Sequence, residues 1–263
     1  MSTRSTPWEP GTPCWVDLGT PDVAASHAFY SELLGWEIQD MGPDFGHYAI
    51  CSRDGHATAG IGPTMSAEQP VAWTTYLAVE DADKTTDLIT TNGGTIIAAP
   101  MSVADQGRMA IAMDPTGAAF GIWQADKMIG AQLVNEPGGL TWNDHHSTDP
   151  DAARAFYTAV FGYSYTRMDG PYDYATIDGT GPGMVIGGIG ADPGLPPGAG
   201  SYWLTYFSVA DTDAAVATAT SRGGRVISPA TDTPFGRMAT LADPQGAVFT
   251  ISAAPPATTE SES

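Results

Sequence analysis

Only two cysteines, Cys14 and Cys51, occur in the 263 residues. Neither a disulfide framework nor a cysteine-rich metal site can be built from them, and both read as small apolar residues suited to a reducing compartment. Basic residues are also scarce: ten Lys and Arg stand against thirty Asp and Glu, a formal charge of −20. A field of that sign repels nucleic acid and anionic membrane surfaces, which leaves neutral or cationic small molecules as the expected partners. No stretch of about 18 apolar residues is present to span a bilayer, and the opening segment lacks the apolar core of a secretion signal. The expectation is a cytoplasmic protein. Glycine-rich stretches at 179–183 and 193–200 lack the Lys-Ser/Thr that closes a phosphate loop, and read instead as flaps.

What is present is a repeat. Phe29-Tyr30 through Gly35-Trp36 returns as Phe156-Tyr157 through Gly162-Tyr163, and Tyr76, Val79, Asp81 and Gly93-Gly94 return as Tyr206, Val209, Asp211 and Gly223-Gly224. Gly107-Arg108-Met109 and Asp114-Pro115 return as Gly236-Arg237-Met238 and Asp243-Pro244. Markers kept in order with nearly constant spacing mean a duplication with small loop insertions. The lobes are placed at 8–126 and 137–254, with a linker over 127–136 and a disordered tail over 255–263. Within each lobe the pattern reads strand, helix, then strands, twice over. Thr20-Pro21 and Asp149-Pro150 supply helix N-caps, Gly35 and Gly93-Gly94 end helices, and each Asp-Pro-x-Gly turn feeds a closing strand. The fold class is α+β, two tandem domains each built from a pair of β-α-β-β-β units.

Phe-Tyr-x4-Gly-(Trp/Tyr) after a capped helix, then strand, helix, Gly-Gly and the closing Asp-Pro-x-Gly strand, resembles the vicinal oxygen chelate superfamily of glyoxalases, bleomycin-resistance proteins and extradiol dioxygenases. The run Gly11-Thr12-Pro13-x-Trp15-Val16-Asp17-Leu18 and the segment Ile129-Gly130-Ala131-x-Leu133 are similar to actinobacterial tandem glyoxalase-like proteins, some of which belong to antibiotic pathways. The resemblance implies curved sheets that form ligand-enclosing cups. It also implies metal-ligand positions at the first strand, the fifth strand and the last strand of each lobe. Here those positions hold Trp15, Thr74 and Gly121, and Trp142, Leu204 and Thr250, so neither metal nor other cofactor is expected.

Strand alternation puts Trp15 and Asp17 on one face, and Trp142, Asp144 and His146 on its counterpart, with Tyr76, Trp123 and Tyr206 on the same cup side. These eight residues are the candidate ligand-binding set. For the tryptophans, stacking on a ligand and plugging a vestigial site are both open; for the aspartates, so are ligand contact and a structural tie. Of the adjacent pair His145-His146, only His146 faces the cup. Arg108 and Arg237 reach either a ligand carbonyl or the Asp-Pro turn.

Rings for stacking and carboxylates for an ammonium suit a flat aromatic amine, and the resemblance to antibiotic-binding and antibiotic-pathway relatives implies a cationic aromatic natural product such as an anthracycline, sequestered for self-resistance or handed to a biosynthetic enzyme. The alternative is an enzyme, either a glyoxalase-like lyase or a cofactor-free catalyst with Asp144 or His146 as general base.

Overall fold

The structure, a computed structural model, describes residues 3–196 and 198–255. The expected tail lies outside the described residues except for Pro255. The first lobe runs β1 (Pro13–Thr20), α1 (Val23–Leu34), β2 (Glu37–Asp40), β3 (Ala49–Arg53), β4 (His56–Pro63), β5 (Ala72–Ala78), α2 (Ala82–Thr91), β6 (Thr95–Val103), β7 (Gly107–Met113) and β8 (Ala119–Ala125). The second repeats it as β9 (Leu140–Ser147), α3 (Pro150–Phe161), β10 (Tyr165–Arg167), β11 (Tyr174–Asp178), β12 (Val185–Ala191), β13 (Tyr202–Ser208), α4 (Thr212–Ser221), β14 (Arg225–Thr233), β15 (Gly236–Ala242) and β16 (Val248–Ala253).

Each lobe is thus two β-α-β-β-β units joined into one eight-stranded sheet, ordered β2-β3-β4-β1-β5-β8-β7-β6 in the first lobe and β10-β11-β12-β9-β13-β16-β15-β14 in the second. The two units meet where β1 pairs antiparallel with β5, and β9 with β13.

The helix boundaries follow from caps, with one correction to the sequence reading. α1 is capped by Asp22, whose carboxylate accepts from Ala25 N, and not by Thr20. The Thr20 hydroxyl is engaged elsewhere, donating to Gln245 Oε1 across the lobes at 2.8 Å. Asp149 caps α3 as expected, with Pro150 in its first turn. Gly35 and Gly162 end their helices in the left-handed conformation that glycine adopts without strain.

Neither lobe has a private core. One apolar cluster joins Phe29, Tyr30, Trp36 and Trp73 of the first lobe to Phe207, Leu241 and Phe249 of the second. The other joins Ile89, Phe120 and Ile122 to Phe156, Tyr157 and Trp203. Two equivalent relays stitch the lobes: Trp73 Nε1 donates to Tyr30 Oη, which donates to Asp243, and Trp203 Nε1 donates to Tyr157 Oη, which donates to Asp114. Burying a large side chain of this kind stabilises by about 1.5–3 kcal/mol, so the lobes are interdependent. The 193–200 stretch ends against the first lobe, where Ser201 N donates to Thr116 O at 3.1 Å.

Candidate functional site

On the face of each sheet away from its helices, the central strands bring a carboxylate, an indole and two phenols together. In the first lobe Asp17 lies opposite Thr74 on β5 and Gly60 on β4, while Trp15 lies opposite Tyr76. Tyr76 Oη donates to Asp17 Oδ2 at 3.0 Å, Tyr48 Oη reaches the same oxygen at 3.3 Å, and Trp15 Nε1 donates to Tyr48 Oη at 2.9 Å. In the second lobe Trp142 Nε1 and Tyr174 Oη donate to Asp144 Oδ1 at 2.7 and 2.8 Å, and Tyr206 Oη donates to Oδ2 at 2.8 Å.

Tyr48 and Tyr174 are absent from the sequence-derived set. Their signal is the repeat itself, since they occupy matching positions just before and at the start of β3 and β11. Each phenol crosses the neighbouring strand at a glycine: a Cβ on Gly60 would sit 1.8 Å from Tyr48 Oη, and one on Gly188 2.0 Å from Tyr174 Oη. No other residue permits that approach.

The hydrogen-bond directions decide what the cups offer. Because the phenol protons are committed to Asp17 and Asp144, the remaining phenol lone pairs are available only as acceptors. Burial pushes all four phenols upward, reinforced by the adjacent carboxylates, so they stay neutral at physiological pH. Burial likewise raises Asp17 to about 6 against the pull of the Tyr76 and Tyr48 hydrogen bonds.

A raised carboxyl holds its proton more tightly folded than unfolded. Asp17 therefore costs nothing below its unfolded value and costs stability progressively as pH rises through about 6. The variant Asp17→Asn lacks that penalty. Its stability relative to the native chain should rise by about 2 kcal/mol between pH 4.5 and 7 in urea unfolding, and a flat difference would contradict this.

Six of the eight expected residues thus fall into two equivalent clusters, Trp15, Asp17 and Tyr76 in one cup and Trp142, Asp144 and Tyr206 in the other. His146 lies two residues beyond Asp144 on the same face of β9, with Nδ1 3.1 Å from Asp192 Oδ2. Trp123 lies apart from the carboxylate cluster: its indole donates to Met128 O at 2.8 Å and borders a cleft of about 370 Å³ with Trp8, Glu9 and Glu80. Asp144, one of the two side chains considered as a general base, already accepts three hydrogen bonds. Arg108 is committed to an acid on α2 and not to the Asp-Pro turn. It forks onto Asp83 in the first turn of α2, and Arg237 onto Asp213 in the first turn of α4 and Asp232 on β14, anchoring β7 and β15 to those acids.

The positions implied for a metal do not fit one. The Tyr76 ring occupies the space above Gly121, and Thr250 Oγ1 is 3.0 Å from Thr240 Oγ1. Among the described residues no three His, Cys, Asp or Glu side chains come together as a ligand set. Indole, hydroxyl, leucine and glycine supply none of the imidazole or carboxylate donors a divalent ion requires.

Comparison with known proteins agrees with the architecture. The family model described as Glyoxalase/Bleomycin resistance protein/Dioxygenase superfamily matches residues 14–122 and again 146–251. The chain is 40% identical over 249 residues to "Putative glyoxylase CFP32" of Mycobacterium tuberculosis, covering 92% of this chain and 94% of that protein. It is 37% identical over 263 residues to "Anthracycline biosynthesis protein DnrV" of Streptomyces peucetius, covering 94% of each. Among solved structures, the Mn(II)-bound glyoxalase of Novosphingobium aromaticivorans shares the fold with a TM-score of 0.65 at 16% identity, over 93% of this chain and 83% of that one. The 2,3-dioxygenase LapB of Pseudomonas sp. KL28 does so with 0.65 at 14% identity, over 95% and 96%. With both lobes matched by the family model and relatives aligned almost end to end, the chain belongs to the glyoxalase/bleomycin resistance protein/dioxygenase superfamily.

Proposed function

We propose that this protein binds a cationic aromatic natural product in its cups without a metal or other cofactor, and sequesters it or delivers it to a biosynthetic enzyme. The observation that carries this reading is the paired indole–phenol–carboxylate cluster, one in each lobe. A cup whose polar atoms are acceptors, backed by a carboxylate, favours ligands that bring donors or positive charge. The aromatic walls supply stacking and cation–π contacts at the same time. An overall charge of −20 draws such a ligand in at long range. The relatives named for anthracycline biosynthesis support a polycyclic aromatic ligand of that chemical class.

The test is a tryptophan-fluorescence titration with mitoxantrone, a dicationic anthraquinone. Saturable quenching is expected, and the affinity should be unchanged after dialysis against a chelator. Asp144→Asn should weaken binding in the second cup by about tenfold or more, the size of a lost charge-assisted hydrogen bond. Absence of saturable binding across a panel of aromatic amines would overturn the reading.

A further inference from the structure

The cups differ at one end. Beyond the carboxylate the first lobe has Gly19 on β1, Thr64 after β4 and Ala72 on β5, and the Gln69 amide fills the space, 2.7 Å from where a Cβ on Gly19 would lie. The matching positions of the second lobe hold His146, Asp192 and Tyr202. Three polar side chains on three segments have appeared together, and the first lobe shows that the fold does not require them.

They form one unit. His146 Nδ1 and Tyr202 Oη both meet Asp192 Oδ2 at 3.1 Å, and the imidazole lies on the Tyr202 ring with centroids 4.8 Å apart and planes 14° from parallel. Burial alone would raise Asp192, but the Gly194 amide, His146 and the Tyr202 hydroxyl outweigh it and hold the carboxyl below the usual range. An ionised Asp192 can only accept, so Nδ1 carries a proton, and in the neutral ring the tautomer this bond selects leaves the lone pair on Nε2. That Nε2 is shielded from solvent and has no hydrogen-bond partner among the described residues. Two other histidine nitrogens share that state, His145 Nδ1 and His27 Nε2, but neither belongs to a cup: His145 is buried in the core and His27 lies on α1. His146, by contrast, has a 26% exposed side chain and stands two residues from Asp144 on the same face of β9.

We propose that the second cup selects for a ring hydroxyl group, with His146 Nε2 accepting a hydrogen bond from an O–H borne directly on the ligand's aromatic ring. Asp192 and Tyr202 are positioning residues that fix the tautomer and the ring plane. At the position of His146 the first cup has Gly19, which supplies no side-chain acceptor. This rests on the ligand-binding reading above and narrows it to hydroxylated aromatics, because a site built to pair a ligand hydroxyl is left with an unmatched polar atom by an analogue that lacks it.

Mitoxantrone and ametantrone test it, two dicationic anthraquinones that differ only in the two ring hydroxyls of the former. Calorimetric titrations use the full chain in an Asp17→Asn background, so that the second cup dominates. Mitoxantrone should bind about tenfold more tightly or better. In His146→Phe the preference should fall to about twofold or less, with mitoxantrone affinity losing more than ametantrone affinity. Tyr202→Phe, which keeps the stacked ring and removes one bond to Asp192, should give an intermediate preference, and near-UV circular dichroism checks that each variant is folded. Equal affinities before the His146 change, or a preference that survives it, overturn hydroxyl selection and leave the binding reading intact. Saturable binding of neither compound overturns both.

Discussion

Replacing Asp114 by alanine should lower the unfolding free energy by about 3–5 kcal/mol, the range for removing one partner from a buried charged network. Its side chain is fully buried and accepts from five donors: His145 Nε2 at 2.7 Å, Tyr157 Oη at 3.1 Å, Thr116 N and Oγ1 at 2.8 Å each, and Ala118 N at 3.1 Å. Alanine would strand all five, two of them from the opposite lobe, so urea unfolding should show the whole chain weakened. His145→Leu is the control, because the first lobe carries Leu18 at the matching position and its partner Asp243 manages without an imidazole. That change should cost no more than about 1–2 kcal/mol, and an equal cost for the two variants would contradict the assignment.

The pair also predicts a reversal with pH. Burial alone would raise Asp114, but the His145 hydrogen bond and charge outweigh it and the carboxyl is held low. Its contribution is present above the unfolded value and is lost as pH falls through the lower folded one. Asp243, without a histidine, is raised by burial, so it costs stability at neutral pH and recovers it as pH falls. Removing His145 should move Asp114 upward toward the behaviour of Asp243, which carboxyl-detected NMR titration can read directly.

The contrast between Leu18 and His145 marks where the sequence stopped being informative. The duplication and the two β-α-β-β-β units per lobe were legible because Phe-Tyr-x4-Gly and Asp-Pro-x-Gly are local signals that recur in order. The cup faces were legible because alternation along β1 and β9 fixes which side Trp15, Asp17, Trp142 and Asp144 occupy. What could not be read was contact across the lobes. Nothing local in Tyr30 or Thr20 announces Asp243 or Gln245 as partners, and the Thr20 cap expectation failed because that hydroxyl answers a residue over 200 positions away. The repeat itself points to the true cap: the spacing that carries Tyr30 to Tyr157 also carries Asp22, not Thr20, to Asp149. Tyr48 and Tyr174 escaped for another reason. Each follows an irregular loop, where no periodicity points to a face, and only their glycine partners Gly60 and Gly188 reveal that a ring must cross there.

Gly121→Ala is the second change expected to have a large effect, at about 2–4 kcal/mol in urea unfolding, combining overpacking with a lost hydrogen bond to a carboxylate. A Cβ there would lie 2.1, 2.3 and 2.6 Å from three atoms of the Tyr76 ring. The ring cannot yield cheaply, since it is only 5% exposed and its hydroxyl is tied to Asp17. Relief of the clash must therefore break the carboxylate cluster, and ligand affinity in the first cup should fall with stability. In a Tyr76→Ala background the same methyl meets open space, so its cost should shrink to within about 0.5 kcal/mol, a coupling that a double-mutant cycle isolates. An undiminished cost in that background would show that Gly121 is required by its own backbone and not by the ring. The same geometry governs Gly121→Glu, which restores the acid implied for a metal-binding relative: the carboxylate would arrive on top of Tyr76, with Tyr76 and Ile111 as the strand partners of its backbone. It should destabilise at least as much as alanine and bring no manganese or zinc into the purified protein, whereas Thr250→Ala, at the matching position beside the less buried Tyr206, should cost only about 1 kcal/mol for its bond to Thr240.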